Sequence, residues 1–215
     1  MVQCLVPFEF AAAPVEVRTD IRRLFRREWD RLALAGTWWS GRERVDIARA
    51  ARRARFGGED SPSTLPTIAI EAAAETSARP ASIRRPWVDT IANDLGYHRY
   101  VEIAGITSRL AAVDTFHLGL GVELEPLPDP EPGEPSRSEE PQARPGAAWV
   151  PMVGGASITQ ALSLVDAESV AQEDMHGPLY LTYEEMAEFD YVGGLSRAQM
   201  ELVAARTSAI NECFY

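Results

Sequence analysis

The chain of 215 residues is long enough for one substantial domain or two small ones, and 46% hydrophobic content is ample for a core. A net charge of -11 repels polyanions, which sets aside nucleic acid and anionic membrane surfaces as partners. No run of about 18 apolar residues is present to span a bilayer, and Met1-Val2-Gln3-Cys4 lacks the basic start of a signal peptide, so a cytoplasmic protein is expected.

Val17 to Leu34 carries Ile21, Leu24, Phe25, Trp29 and Leu32 in one stripe at helical spacing. Its arginines, Arg18, Arg22, Arg26 and Arg23, Arg27, Arg31, recur every four residues on the remaining surface. They read as an anion site or as a solvated face, and the interspersed Asp20, Glu28 and Asp30 favour the face. Ser40-Gly41-Arg42-Glu43 is a capping-box pattern that starts a helix running to Gly57-Gly58. An alanine-rich helix is expected over Thr64 to Ala78 with Pro66 in its first turn, and another over Trp87 to Leu95, closed by Gly96.

The most regular stripe follows at Ile103, Ile106, Leu110, Val113 and Phe116 or His117. His117 reads as a packed histidine or as a ligand or base, and Asp114, three residues earlier, could hydrogen-bond it on one helix face. From Pro126 to Pro151 eight prolines forbid helix and favour extended backbone, either a linker or a strap across a helical surface. The apolar Trp149-Val150-Pro151-Met152 favours the strap. Helix signals return at the capping box Thr182-Tyr183-Glu184-Glu185, before Met186, Phe189 and Tyr191, and again at Ser196-Arg197-Ala198-Gln199. No period-two run marks a strand, so the fold class is all-α. The organisation is an N-terminal helical half over 1–125, the proline-rich segment over 126–151, and a C-terminal helical segment over 152–215. The stretches from Trp39 to Ala48 and from Leu195 to Ala204 share an apolar residue, a serine cap and an Ala/Arg-rich helix, a candidate internal repeat.

Cys4 and Cys213, the two cysteines, cannot build a disulfide framework or a zinc site, and nothing calls for a metal or organic cofactor. Cys213 is the candidate nucleophile. Asn211 is a good N-cap that would place it in the first turn of a following helix, where amide dipoles lower a thiol pKa. Glu201, twelve residues earlier, is the candidate proton acceptor.

Leu195-Ser196-Arg197, Glu201-Leu202-Val203-Ala204, Ser208, Asn211, Cys213 and Tyr215 together resemble the alkylhydroperoxidase D-like and carboxymuconolactone decarboxylase-like superfamily. Its redox members carry Glu, eleven residues, Cys, two residues, Cys, three residues and His. Glu201 and Cys213 match the first two positions. A looser resemblance covers Tyr97 to Leu124, which is similar to the helix packed on the redox helix in such proteins. The resemblance implies an alkylhydroperoxidase D-like helical bundle, often a homo-oligomer. It implies a peroxidase that reduces a small-molecule hydroperoxide with electrons from a thiol reductant. By the family's mapping Cys213 is the resolving cysteine, and the peroxide-attacking Cys or selenocysteine belongs at position 216, with the histidine at 220. The sequence stops at Tyr215, before both positions, and the expectation is a selenoprotein-type member read to a UGA codon, with little peroxidase activity in the 215-residue form. Two other readings stay open: a non-redox decarboxylase-like member of the same fold, and a helical structural or binding module.

Overall fold

The computed structural model describes residues 7–59, 62–155, 157 and 160–211. Among them it contains eight α-helices and no strand, with two isolated β-bridges, Arg144 to Met152 and Val192 to Ser196. The first helix, α1 (Thr19–Ala33), turns the expected stripe inward, and Leu24 and Phe25 are fully buried. Of the arginines on it and at its N-cap, Arg18 pairs with Asp20, Arg22 and Arg26 with Glu9, and Arg31 with Glu28 and Asp174. Helix α2 (Gly41–Phe56) opens on the complete capping box, with Ser40 N donating to Glu43 Oε2 at 2.8 Å and Glu43 N to Ser40 Oγ at 3.4 Å. Pro66 is the N-cap of α3 (Thr67–Ala78), one step ahead of its first turn. Ala48 and Ala51 of α2 meet Ala69, Ala72 and Ala73 of α3, all with no exposed surface, so small side chains let these two backbones approach closely.

Helix α4 (Arg85–Leu95) ends at Gly96, and α5 (Tyr97–Leu120) runs for 24 residues, roughly 36 Å at 1.5 Å per residue. It is the central element and packs against α1, α2, α3, α4 and α6 (Asp166–Leu179). Helix α6 is an element the sequence reading lacks. It buries Glu168, Ala171 and Met175, and Met175 joins the main core.

Among the described residues between α5 and α6 there is no α-helix, and the proline-rich segment lies along α1 and the α1–α2 connection. Trp29 Nε1 donates to the Pro126 carbonyl at 2.7 Å. The backbone then pairs Glu131 N with Ala33 O (2.9 Å), Ser136 N with Gly36 O (3.1 Å) and Arg137 N with Thr37 O (2.9 Å). Gly41 is needed for this approach, because a Cβ there would meet the carbonyls of Ala33 and Glu131.

The single-turn α7 (Tyr183–Met186) and α8 (Arg197–Ile210) each open on a complete capping box. Helix α7 stops before Phe189 and Tyr191, and Phe189 is 83% exposed. No residue of α8 is buried. The two stretches that look like a repeat therefore share a start and differ in packing: Val45, Ile47, Ala48 and Ala51 of α2 are core residues. No helix of the described residues is long and apolar enough to cross a membrane.

Candidate functional site

Two polar constructions and one cavity stand out. The first is a chain of alternating charges through the helical core. Glu102 on α5 accepts the Arg44 guanidinium of α2 and the Trp38 amide, the latter at 2.6 Å. Arg44 Nη1 also reaches Glu168 Oε1 on α6 at 3.0 Å. Glu168 Oε2 accepts Arg109 Nη2 of α5 at 2.5 Å, and Arg109 Nε donates to Glu28 Oε2 of α1 at 2.8 Å. Glu28 and Asp174 share Arg31 nearer the surface. Arg44, Glu102, Arg109, Glu168 and Glu28 are all 5% exposed or less. Two glycines make room: a Cβ on Gly36 would strike Glu102 and Arg44, and one on Gly105 would strike Glu168.

The two central carboxyls respond in opposite directions. Burial pushes both up. For Glu168 the guanidiniums of Arg109 and Arg44 together outweigh burial and hold it below the usual range. Glu102 has Arg44 alone and is repelled by Glu168, so burial wins and its carboxyl is raised. Arg44 is disfavoured by burial, yet Glu168 and Glu102 hold its charge firmly. With each guanidinium held between carboxylates and no nucleophile among them, this array joins α1, α2, α5 and α6 rather than offering a reacting group.

The second construction surrounds Glu201. On α8, Glu201 Oε1 accepts Arg197 Nε at 2.6 Å, one helical turn away, and the Tyr180 hydroxyl at 2.9 Å. Arg197 also reaches the carbonyls of Glu185 and Met186, both at 3.3 Å, which ties the start of α8 to α7. The Tyr180 and Arg197 hydrogen bonds hold the Glu201 carboxyl below its ordinary range, so it is ionised at neutral pH. Tyr180 is shifted up, first by burial and then by its bond to Glu201.

Cys213 and Cys4 lie outside the described residues, so Glu201 is the one predicted site residue whose surroundings are defined. Asn211 has a different role from the expected N-cap. Its backbone amide and its Nδ2 both donate to Thr207 O at 3.0 Å, and its ψ of 4° is far from the extended value of a helix N-cap. It closes α8. His117 is a packed histidine: 2% exposed, with Nδ1 2.8 Å from Val113 O, set among Phe8, Phe10 and Phe25. Asp114 pairs with Arg52 instead, at 2.7 Å.

The third feature is a cavity of about 850 Å³ between α3, α5 and α6, bordered by Thr76, Ala104, Ala111, Leu162, His176 and Tyr180 among others. Tyr180 thus belongs both to the cavity and to the Glu201 cluster. The rings of His176 and Tyr180 meet edge-on with centroids 5.5 Å apart, and His176 Nδ1 lies 2.6 Å from Leu181 O.

Sequence reasoning missed Tyr180, Arg197 and the buried charges. Arg197 and Glu201, four apart on one helix, carry a readable signal. Tyr180 is 21 residues from Glu201 and Glu168 is 124 from Arg44, and no local pattern reports pairings of that range. Among the described residues no cluster of His, Cys, Asp and Glu is arranged to hold a metal ion. Compared with protein-family models, curated proteins and solved structures, the chain matches none.

Proposed function

We propose that this chain belongs to a thiol- or selenol-dependent oxidoreductase that reduces hydroperoxides, with Glu201 as proton acceptor and Cys213 as resolving thiol in an alkylhydroperoxidase D-like bundle. The observation that carries the reading is Glu201 itself. It is a carboxylate held in place by Arg197 and Tyr180, twelve residues before the single cysteine of the C-terminal segment. An ionised carboxylate can take the proton that leaves a thiol.

The cycle balances with thiols or a selenol alone. A thiolate or selenolate attacks the hydroperoxide, the O–O bond breaks, and ROH leaves with one oxygen while the attacking atom keeps the other as a sulfenate or selenenate. Cys213 then displaces that oxygen as water and forms a disulfide or selenylsulfide. Two thiols of an external reductant restore the pair and leave as their own disulfide. A homo-oligomer suits the exposed apolar residues Leu202, Val203 and Ile210 on α8.

The test is thiol–disulfide exchange at Cys213 with an aromatic disulfide between pH 5 and 9, in a Cys4→Ser background. Cys213 should ionise below the ordinary thiol value of about 8.5, and Glu201→Gln should slow exchange at pH 7 by about tenfold or more. A Cys213 that titrates as an ordinary thiol, with a rate indifferent to Glu201→Gln, defeats the proposal.

A further inference from the structure

We infer that the cavity between α3, α5 and α6 is a binding site for a neutral, mainly apolar small molecule, seated with its polar end toward His176 and Tyr180. Its volume, about 850 Å³, is in the upper part of the roughly 300–1,000 Å³ range of small-molecule sites. The wall is largely apolar. On α5, Ala104 and Ala111 present only methyl groups. The two hydroxyls between them are already used, since Thr107 Oγ1 donates to Ala104 O at 3.2 Å and Ser108 Oγ to Gly105 O at 3.0 Å. Water against these apolar stretches finds few partners, and an apolar body that displaces it there gains by burial.

Charge selects the ligand class. The chain carries 21 arginines and 32 acidic residues, yet none borders the cavity among its described lining residues. A carboxylate or phosphate would be desolvated there without a counterion, in a protein whose net charge is already -11. Polar recognition is available from Thr76 Oγ1 on α3 and Gln172 Oε1 on α6, both buried without a hydrogen-bond partner, and at the end of α6 from Tyr180, which uses its proton on Glu201 and keeps a lone pair for a hydroxyl of the ligand. The ligand is therefore an uncharged, mainly apolar molecule that carries a hydroxyl-like donor. Only the coupling of its occupancy to Glu201 chemistry rests on the oxidoreductase reading; the binding itself does not.

Decan-1-ol is a suitable probe because it is redox-inert, and its binding is measured calorimetrically on the full chain beside decanoate at pH 8. Decanol should bind saturably and decanoate at least tenfold more weakly. Ala104→Leu and Ala111→Leu fill the space and should each weaken decanol at least tenfold with unchanged helical circular dichroism; Tyr180→Phe should weaken it about fivefold, one hydrogen bond's worth. Absence of decanol binding up to its solubility, or binding indifferent to both leucine variants, overturns the site. Decanoate binding as tightly as decanol overturns the neutral class, and an unchanged Tyr180→Phe variant overturns the placement of the polar end. Saturable decanol binding beside an ordinary, Glu201-independent Cys213 keeps the site and removes the redox reading alone.

Discussion

Glu168 lies between two guanidiniums, whereas Glu102 shares one of them, and this difference sets what each residue does for stability. Removing Glu168 leaves Arg44 with Glu102 alone and Arg109 with Glu28 alone, one carboxylate each in place of two, so Glu168→Ala should cost about 3 kcal/mol in urea unfolding. Glu102→Gln should cost much less, because burial already favours the neutral form of that carboxyl. The pH dependence separates the two. The folded pKa of Glu168 is below its unfolded value of about 4.3, so its contribution is present above that value and fades as pH falls through the folded pKa. The folded pKa of Glu102 is raised, so its contribution is full below about 4.3 and fades as pH rises through the folded pKa. Unfolding curves between pH 3 and 7 should show Glu168→Gln flattening the acid side of the profile and Glu102→Gln flattening the loss on the other side. The charges themselves are visible in the sequence, but their burial is not. Arg44 looks like any arginine of an Arg-rich helix until α6 closes over it.

At the scale of elements, capping boxes were the most legible feature. Ser40, Thr182 and Ser196 each open a helix with both reciprocal hydrogen bonds formed. The same chemistry leaves very different helices, because a cap fixes where a helix starts and packing fixes how firmly it holds. Helix α2 is buried on one side, and α8 has no buried residue. Native-state hydrogen exchange should therefore find amides in the middle of α8 exchanging at least about 100-fold faster than those of α2. Comparable protection in both would show that α8 is covered in solution. Helix α6 escaped the sequence reading for a related reason. Its buried positions Glu168, Ala171 and Met175 follow helical spacing, but the first is a glutamate, and a search for apolar periodicity passes over it. Pro178 and Gly177 in its last turn weaken the helical signal further.

Across the whole molecule, the proline-rich segment binds the fold along its length. Pro126 to Arg137 are held by Trp29 Nε1 and by backbone pairs with Ala33, Gly36 and Thr37. Trp29→Phe keeps an aromatic ring but removes the donor to Pro126 together with part of a buried indole, which should cost about 2 kcal/mol and speed proteolysis between residues 126 and 137. An unchanged cleavage rate would mean that the backbone pairs alone hold the strap. The prolines excluded helix here because they lack an amide proton, and that much is local chemistry. Whether the segment would link or strap depended on which acceptors and donors α1 and its following turn left open, and this is a property of the folded surface. The same division runs through the protein. Helix starts, breaks, the all-α class and the twelve-residue spacing of Glu201 and Cys213 are local and were written in the chain. The buried Glu–Arg array, the meeting of Tyr180 with Glu201 and the neutral cavity beside them arise between distant segments. They became visible once α5 and α6 were packed together, because burial, not residue type, turns a charge into a clamp and a gap between helices into a site.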